Sequence, residues 1–94
     1  MLKADRSKAA ESNVIALQLL GFIAENKEIL GRFMALTGSG PDDLRNRLED
    51  PDFHAAILEF VMQDENLLLA FAAQQEIDPQ IVARAYRALQ GPLQ

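Results

Sequence analysis

The chain reads as an all-α protein of six short helices arranged as two three-helix repeats about a pseudo-twofold axis. Three observations lead to this. Apolar residues recur at three- and four-residue spacing along the chain, and no stretch alternates with a period of two over strand length. Each apolar segment is preceded by a residue that starts helices. The two halves also read alike. Residues 12–48 laid on residues 50–86, a gapless shift of 38, bring Leu20, Phe22, Leu30, Phe33, Ala35 and Pro41 onto Leu58, Phe60, Leu68, Phe71, Ala73 and Pro79. Ser12, Asn26 and Gly40 fall on Asp50, Asp64 and Asp78. Neither half is large enough to bury its own apolar face, so the halves are expected to pack on each other.

The elements follow in order. Residues 1–11 lack apolar periodicity and are expected to form a flexible leader; residues 12–94 form a single helical domain, with repeat one at 12–49 and repeat two at 50–90. Ser12 is expected to cap helix one, with Ile15, Leu19, Phe22 and Ile23 on one face. Asn26 caps helix two, with Ile29, Leu30, Phe33 and Leu36 inward and Gly38 as its stop. Gly40-Pro41 opens helix three, because proline at the first helical position gives up no hydrogen bond, and Asp42 and Asp43 suit the positive end of the helix dipole. Asp50-Pro51 opens helix four by the same device, with Phe53, Ile57, Phe60 and Val61 inward. Asp64 caps helix five (Leu67, Leu68, Phe71), Asp78-Pro79 opens helix six (Ile81, Val82, Ala85, Tyr86, Leu89), and Gly91-Pro92 ends it.

Composition narrows the function. The 94 residues allow one core, and 49% of them are apolar, enough to fill it. There is no cysteine, so neither disulfides nor thiolate chemistry operate. The net charge is −5 and unevenly spread: residues 1–8 carry +2, whereas residues 42–65 hold eight carboxylates against Arg45 and Arg47. An acidic chain repels a phosphate backbone, which argues against nucleic acid and favours a basic or amphipathic protein partner. The basic start followed by apolar Val14–Ala24 imitates a secretory signal, but Gln18 interrupts it, Phe22 stands where a small residue belongs, and the pattern recurs at Asp52–Met62. It is expected to be a core helix. No run reaches the roughly 18 apolar residues of a membrane span.

Candidate sites are few. Gly38-Ser39-Gly40-Pro41 resembles the glycine hairpin of helix-hairpin-helix DNA-binding modules, whose backbone amides approach a phosphate. Ser39 replaces an apolar residue there, no Lys or Arg occupies the following turn, and Asp42 and Asp43 would repel the phosphate. A C-cap glycine followed by an N-cap and proline accounts for the segment without DNA. His54, the single histidine, is expected on the surface in an i,i+4 pair with Asp50. It has no partner set for zinc, and Glu49, Asp50 and Asp52 lack the spacing of a calcium loop, so no metal or cofactor is expected. The candidate partner surface is acidic: Asp42, Asp43, Glu49, Asp50 and Asp52. Two apolar residues join it: Leu69, which matches Gly31 across the repeat, and Met62, which matches Ala24.

Several strings together resemble one known group. Leu30-Gly31-Arg32-Phe33-Met34-Ala35-Leu36-Thr37-Gly38, Asp42-Asp43-Leu44-Arg45, Asp50-Pro51-Asp52-Phe53, Ala56-Ile57-Leu58-Glu59-Phe60 and Leu67-Leu68-Leu69-Ala70-Phe71 look like a family of short bacterial all-helical proteins classed as a domain of unknown function. The resemblance covers residues 14–90 and implies a stand-alone bacterial, cytoplasmic protein; it brings no activity, ligand or catalytic residue. The expected function is therefore a small non-catalytic protein-interaction module, with a homodimer as one form it could take. The alternative is a nucleic-acid module using the Gly38–Pro41 turn.

Overall fold

Six helices account for nearly all of the structure, a computed structural model that describes the backbone over residues 2–90 and the side chains over residues 11–90. They are α1 (Leu2–Ala24), α2 (Lys27–Thr37), α3 (Pro41–Asn46), α4 (Pro51–Met62), α5 (Glu65–Gln75) and α6 (Pro79–Gln90). Among the described residues there is no strand. α1, α4 and α6 pack against one another and form the centre; α2 lies across α1 and α4, and α5 lies across α4 and α6. The all-α expectation holds.

The helix starts are those the capping residues specify. Asn26 Oδ1 accepts from the amides of Glu28 and Ile29 at 3.0 and 3.2 Å, Asp50 Oδ1 from Asp52 at 2.9 Å, Asp64 Oδ1 from Leu67 at 3.3 Å and Asp78 Oδ1 from Gln80 at 2.9 Å. Ser12 is the exception. α1 begins at Leu2 and passes through residues 2–11, the expected leader, without a break, so Ser12 is a buried mid-helix residue instead of a cap. The reason is propensity: residues 2–11 hold Leu2, Lys3, Ala4, Arg6, Lys8, Ala9, Ala10 and Glu11, all strong helix formers, and neither glycine nor proline to stop the helix. The expected stop at Gly91-Pro92 lies outside the described residues.

The helix ends are alike in the two halves. Gly38 adopts a left-handed conformation (φ 68°, ψ 24°), and Ser39 N–H donates to Met34 C=O at 3.1 Å. Thirty-eight residues on, Glu76 does the same (φ 58°, ψ 44°), with Ile77 N–H donating to Ala72 C=O at 3.0 Å. The turn at Glu76-Ile77-Asp78 thus repeats the glycine turn without a glycine. A side chain in this region strains the backbone, so Glu76→Gly is expected to stabilise the fold by about 1 kcal/mol and Gly38→Ala to destabilise it by about as much. No atom lies within 4 Å of a Cβ added at Gly38, so conformation alone is tested there. Urea unfolding of the two variants measures both.

The core is aromatic at its centre. Phe33 is fully buried, with its ring centroid 5.8 Å from Phe53 and 5.2 Å from Phe60. Phe22 meets Phe71 edge-to-face at 5.5 Å. Phe22 corresponds to Phe60 and Phe33 to Phe71 across the 38-residue shift, so each of these two pairs joins one half to the other. The third helices of the halves differ: α6 is a full central helix, whereas α3 is short, and only Leu44 of α3 reaches the core. Leu36, expected inward on α2, is 73% exposed. It sits in the last turn of α2, at the rim of a surface groove that it lines with Thr37, Ala56 and Phe60, so α4 borders it without covering it.

Arg32 links the halves at the surface. Its Nη2 donates to Asp64 Oδ2 at 3.0 Å, and its guanidinium lies 5.7 Å from the Phe60 ring centroid. The Arg32 hydrogen bond, with a further one from the Leu67 amide, holds the Asp64 carboxyl below its ordinary value of 3.8. The folded chain therefore binds this proton less readily than the unfolded chain. The resulting stabilisation is complete above about pH 4 and is lost as pH falls through the lowered value. Asp64→Asn is expected to flatten that part of the acid limb of a stability–pH curve. The effect is small, because both side chains are well solvated, and added salt reduces it.

Candidate functional site

His54 is not where its spacing from Asp50 places it. The ring is 3% exposed; Nδ1 lies 2.7 Å from Asn13 Oδ1 on α1, and Nε2 lies 2.5 Å from the Leu48 carbonyl oxygen ahead of α4. Asp50 instead spends its carboxylate on the α4 cap. The physical cause is the central position of α4. Neighbouring helices cover it on most sides, so Phe53, His54, Ile57, Leu58, Phe60 and Val61 are all buried; the side left to solvent carries Asp52 and Glu59, and His54 points away from it. A carbonyl only accepts, so Nε2 carries a hydrogen. In the neutral ring Nδ1 then accepts from the Asn13 NH2 group after a half-turn of the carboxamide; a doubly protonated ring donates to Asn13 Oδ1 as it stands. Either way both nitrogens are engaged in holding α1 to the α3–α4 corner.

The acidic residues Asp42, Asp43, Glu49, Asp50 and Asp52 are all open to solvent, and the one ion pair among the described residues, Arg32–Asp64, lies elsewhere. Asp43 and Asp50 have structural duties as well: Asp43 Oδ2 accepts from Gly40 N–H at 3.0 Å. Arg47 turns away from the carboxylates. Its guanidinium lies 5.9 Å from the Phe53 ring centroid and reaches Ser39 Oγ at 3.4 Å. Leu48 stands exposed beside this segment.

The turn at Gly38–Pro41 is built for packing. Gly38 is exposed, Ser39 is buried, Gly40 is half-buried and its amide is taken by Asp43, and Pro41 is exposed at the start of α3. The amide that a helix-hairpin-helix module offers to phosphate is here bonded to a carboxylate. Leu69 is 47% exposed on α5, while Met62 is half-buried and packs on the core. The five acidic residues and the turn fall on the continuous stretch 38–52 at the α3–α4 corner, whereas Met62 is at the end of α4 and Leu69 on α5.

Two surface grooves complete the inventory. The larger, about 510 Å³, runs between α1 and α6, floored by Ile15, Ile81, Ala85 and Ala88 and flanked by Glu11, Arg84 and Arg87. The smaller, about 400 Å³, lies where Leu36 and Thr37 meet Ala56, Phe60 and Gln63 of α4. Spacing alone did not mark Asn13 or the first groove. The available signals were an asparagine inside an apolar helix and the fact that Arg84 and Arg87 are the only cations after Arg47. Among the described residues no group of three or more His, Asp or Glu side chains is placed to hold a metal ion, and no helix is long and apolar enough to cross a membrane.

Neither a curated protein nor a solved structure matches the chain. A family model does, over residues 9–92, which takes in α2 to α6 and α1 from residue 9 onward; the chain belongs to the DUF3572 family, described as a protein of unknown function.

Proposed function

We propose that this chain is a small non-catalytic protein-interaction module whose acidic segment receives a basic or amphipathic partner. The observation that carries the reading is the placement of His54 beside that segment. The one side chain suited to general-base work at neutral pH is enclosed and bonded at both nitrogens, while the carboxylates of the neighbouring segment are exposed to solvent. An exposed segment in which Asp42, Asp43, Glu49, Asp50 and Asp52 outnumber Arg45 and Arg47 attracts cationic partners, and such association weakens with salt. A bacterial, cytoplasmic setting goes with this reading.

We also infer that the halves descend from one unit. Supporting this are the two Phe pairs that exchange under the 38-residue shift, the matching caps at Asn26 and Asp64, and the matching left-handed ends at Gly38 and Glu76. The relation is confined to the first two helices of each half, since α3 and α6 lie in unlike surroundings.

Affinity capture from the source cell tests the function, using the full chain and the variant Asp42→Lys/Glu49→Lys/Asp52→Lys. A partner retained at low salt, released at high salt and lost in the variant is the expected result. Repeated capture of nothing, or of partners indifferent to the charge reversal, would remove the acidic segment from consideration. Leu69→Asp is the parallel arm: unchanged oligomeric state and partners would show Leu69 to be an ordinary surface leucine.

A further inference from the structure

We propose that the groove between α1 and α6 is a second docking site, one that takes an acidic amphipathic helix from a partner protein. The argument begins with the floor. Ile15 on α1 and Ile81, Ala85 and Ala88 on α6 line it; the α6 residues fall at i, i+4 and i+7, so they form one continuous apolar stripe. Ala85 and Ala88 are small, which lets a third helix approach closely over the pair α1–α6. At about 510 Å³ the groove is within the size range of functional clefts, and its place between two packed helices suits a helix laid along them.

Charge selects the occupant. Arg84 and Arg87 stand on the α6 edge, both exposed, and neither forms an ion pair among the described residues. They are the only cations in the second half of a chain of net charge −5. Among the described lining residues, Glu11 on the opposite edge is the single carboxylate. A partner helix with an apolar stripe toward the floor and carboxylates toward α6 meets both arginines. A basic helix meets repulsion at both. Nucleic acid fits poorly, because the lining offers no aromatic ring for base stacking and only two cations for a phosphate track. A second copy fits poorly as well, since its own acidic segment spans α3, a helix of only six residues.

This site is separate from the acidic segment. Asn13, which bonds to His54 beside that segment, and Ile15, in the groove, are two residues apart on α1 and so point to opposite flanks. One flank is arranged for a cationic partner and the other for an anionic one, so failure of either leaves the other standing.

The test is an amide-resolved NMR titration of the full chain with a helical peptide of about 18 residues, leucines on one face and glutamates on both flanks. The same peptide with lysines replacing the glutamates is the control. The expected result is shifts centred on Ile15, Ile81, Ala85 and Ala88, with the lysine peptide binding at least about tenfold more weakly. Arg84→Glu/Arg87→Glu should weaken the acidic peptide about tenfold while leaving the helical circular dichroism unchanged; Ala88→Gln, which fills the floor without adding charge, should weaken it too. Equal binding of the two peptides, indifference to the arginine reversal, or shifts located elsewhere would overturn the proposal. So would sedimentation showing that the chain occupies this face with its own second copy.

Discussion

Phe33→Ala should remove about 3–5 kcal/mol of stability, the largest loss expected from any single truncation in this chain. The ring is fully enclosed and is the one aromatic that touches two others, Phe53 and Phe60, so truncation leaves a cavity and also cancels two ring contacts worth about 0.5–1.5 kcal/mol each. Domains typically hold only about 5–15 kcal/mol in all, so the variant should be partly unfolded at room temperature or melt more than about 15 °C lower. Leu36→Ala, three residues along the same helix, should cost less than about 0.5 kcal/mol because Leu36 is already in water. Urea unfolding of the two variants side by side decides the matter: similar midpoints would mean that Phe33 is not the centre of the core.

His54→Ala should cost about 3 kcal/mol by a different route. It opens a cavity against α1 and leaves the Leu48 carbonyl and the half-buried Asn13 carboxamide without their partner. Asn13→Ala removes only one of the two bonds and should cost about half as much. Because the two residues form one network, their effects should not add; the double variant should be about 1 kcal/mol more stable than the sum of the singles implies. A surface histidine paired with Asp50 would give a loss below about 0.5 kcal/mol for His54→Ala. Thermal melts of the three variants separate the alternatives.

The helix punctuation was legible from the residues because capping is local chemistry. Asn26, Gly38, Gly40, Asp50, Asp64 and Asp78 act where a short side chain or a left-handed backbone is needed, and tertiary packing has little power to move them. What was not legible depended on which helices meet. The fate of His54 turns on α4 being enclosed, and enclosure is a property of α1, α6, α5 and α2 together. Leu36 shows the converse, an apolar residue at the correct helical spacing on a turn that no neighbour covers. Ser12 failed for a third reason: a serine reads as a cap only if the chain before it is not helical, and residues 2–11 are rich in helix formers. The acidic segment could be read from composition alone, whereas the α1–α6 groove joins residues some 70 positions apart in the chain and needed the fold.

The crossed ring pairs Phe22–Phe71 and Phe33–Phe60 carry a consequence for assembly. Neither half completes its own aromatic contacts, so a fragment ending near Arg47 and one beginning near Asp50 should each be largely unstructured alone and regain helix on mixing. The contacts are equally satisfied whether the halves come from one chain or two. The exposed connector between Arg47 and Asp50 is therefore where the chain can be cut while both ring pairs still join the two fragments, and recovery of helical circular dichroism on mixing them is the measurement that checks it.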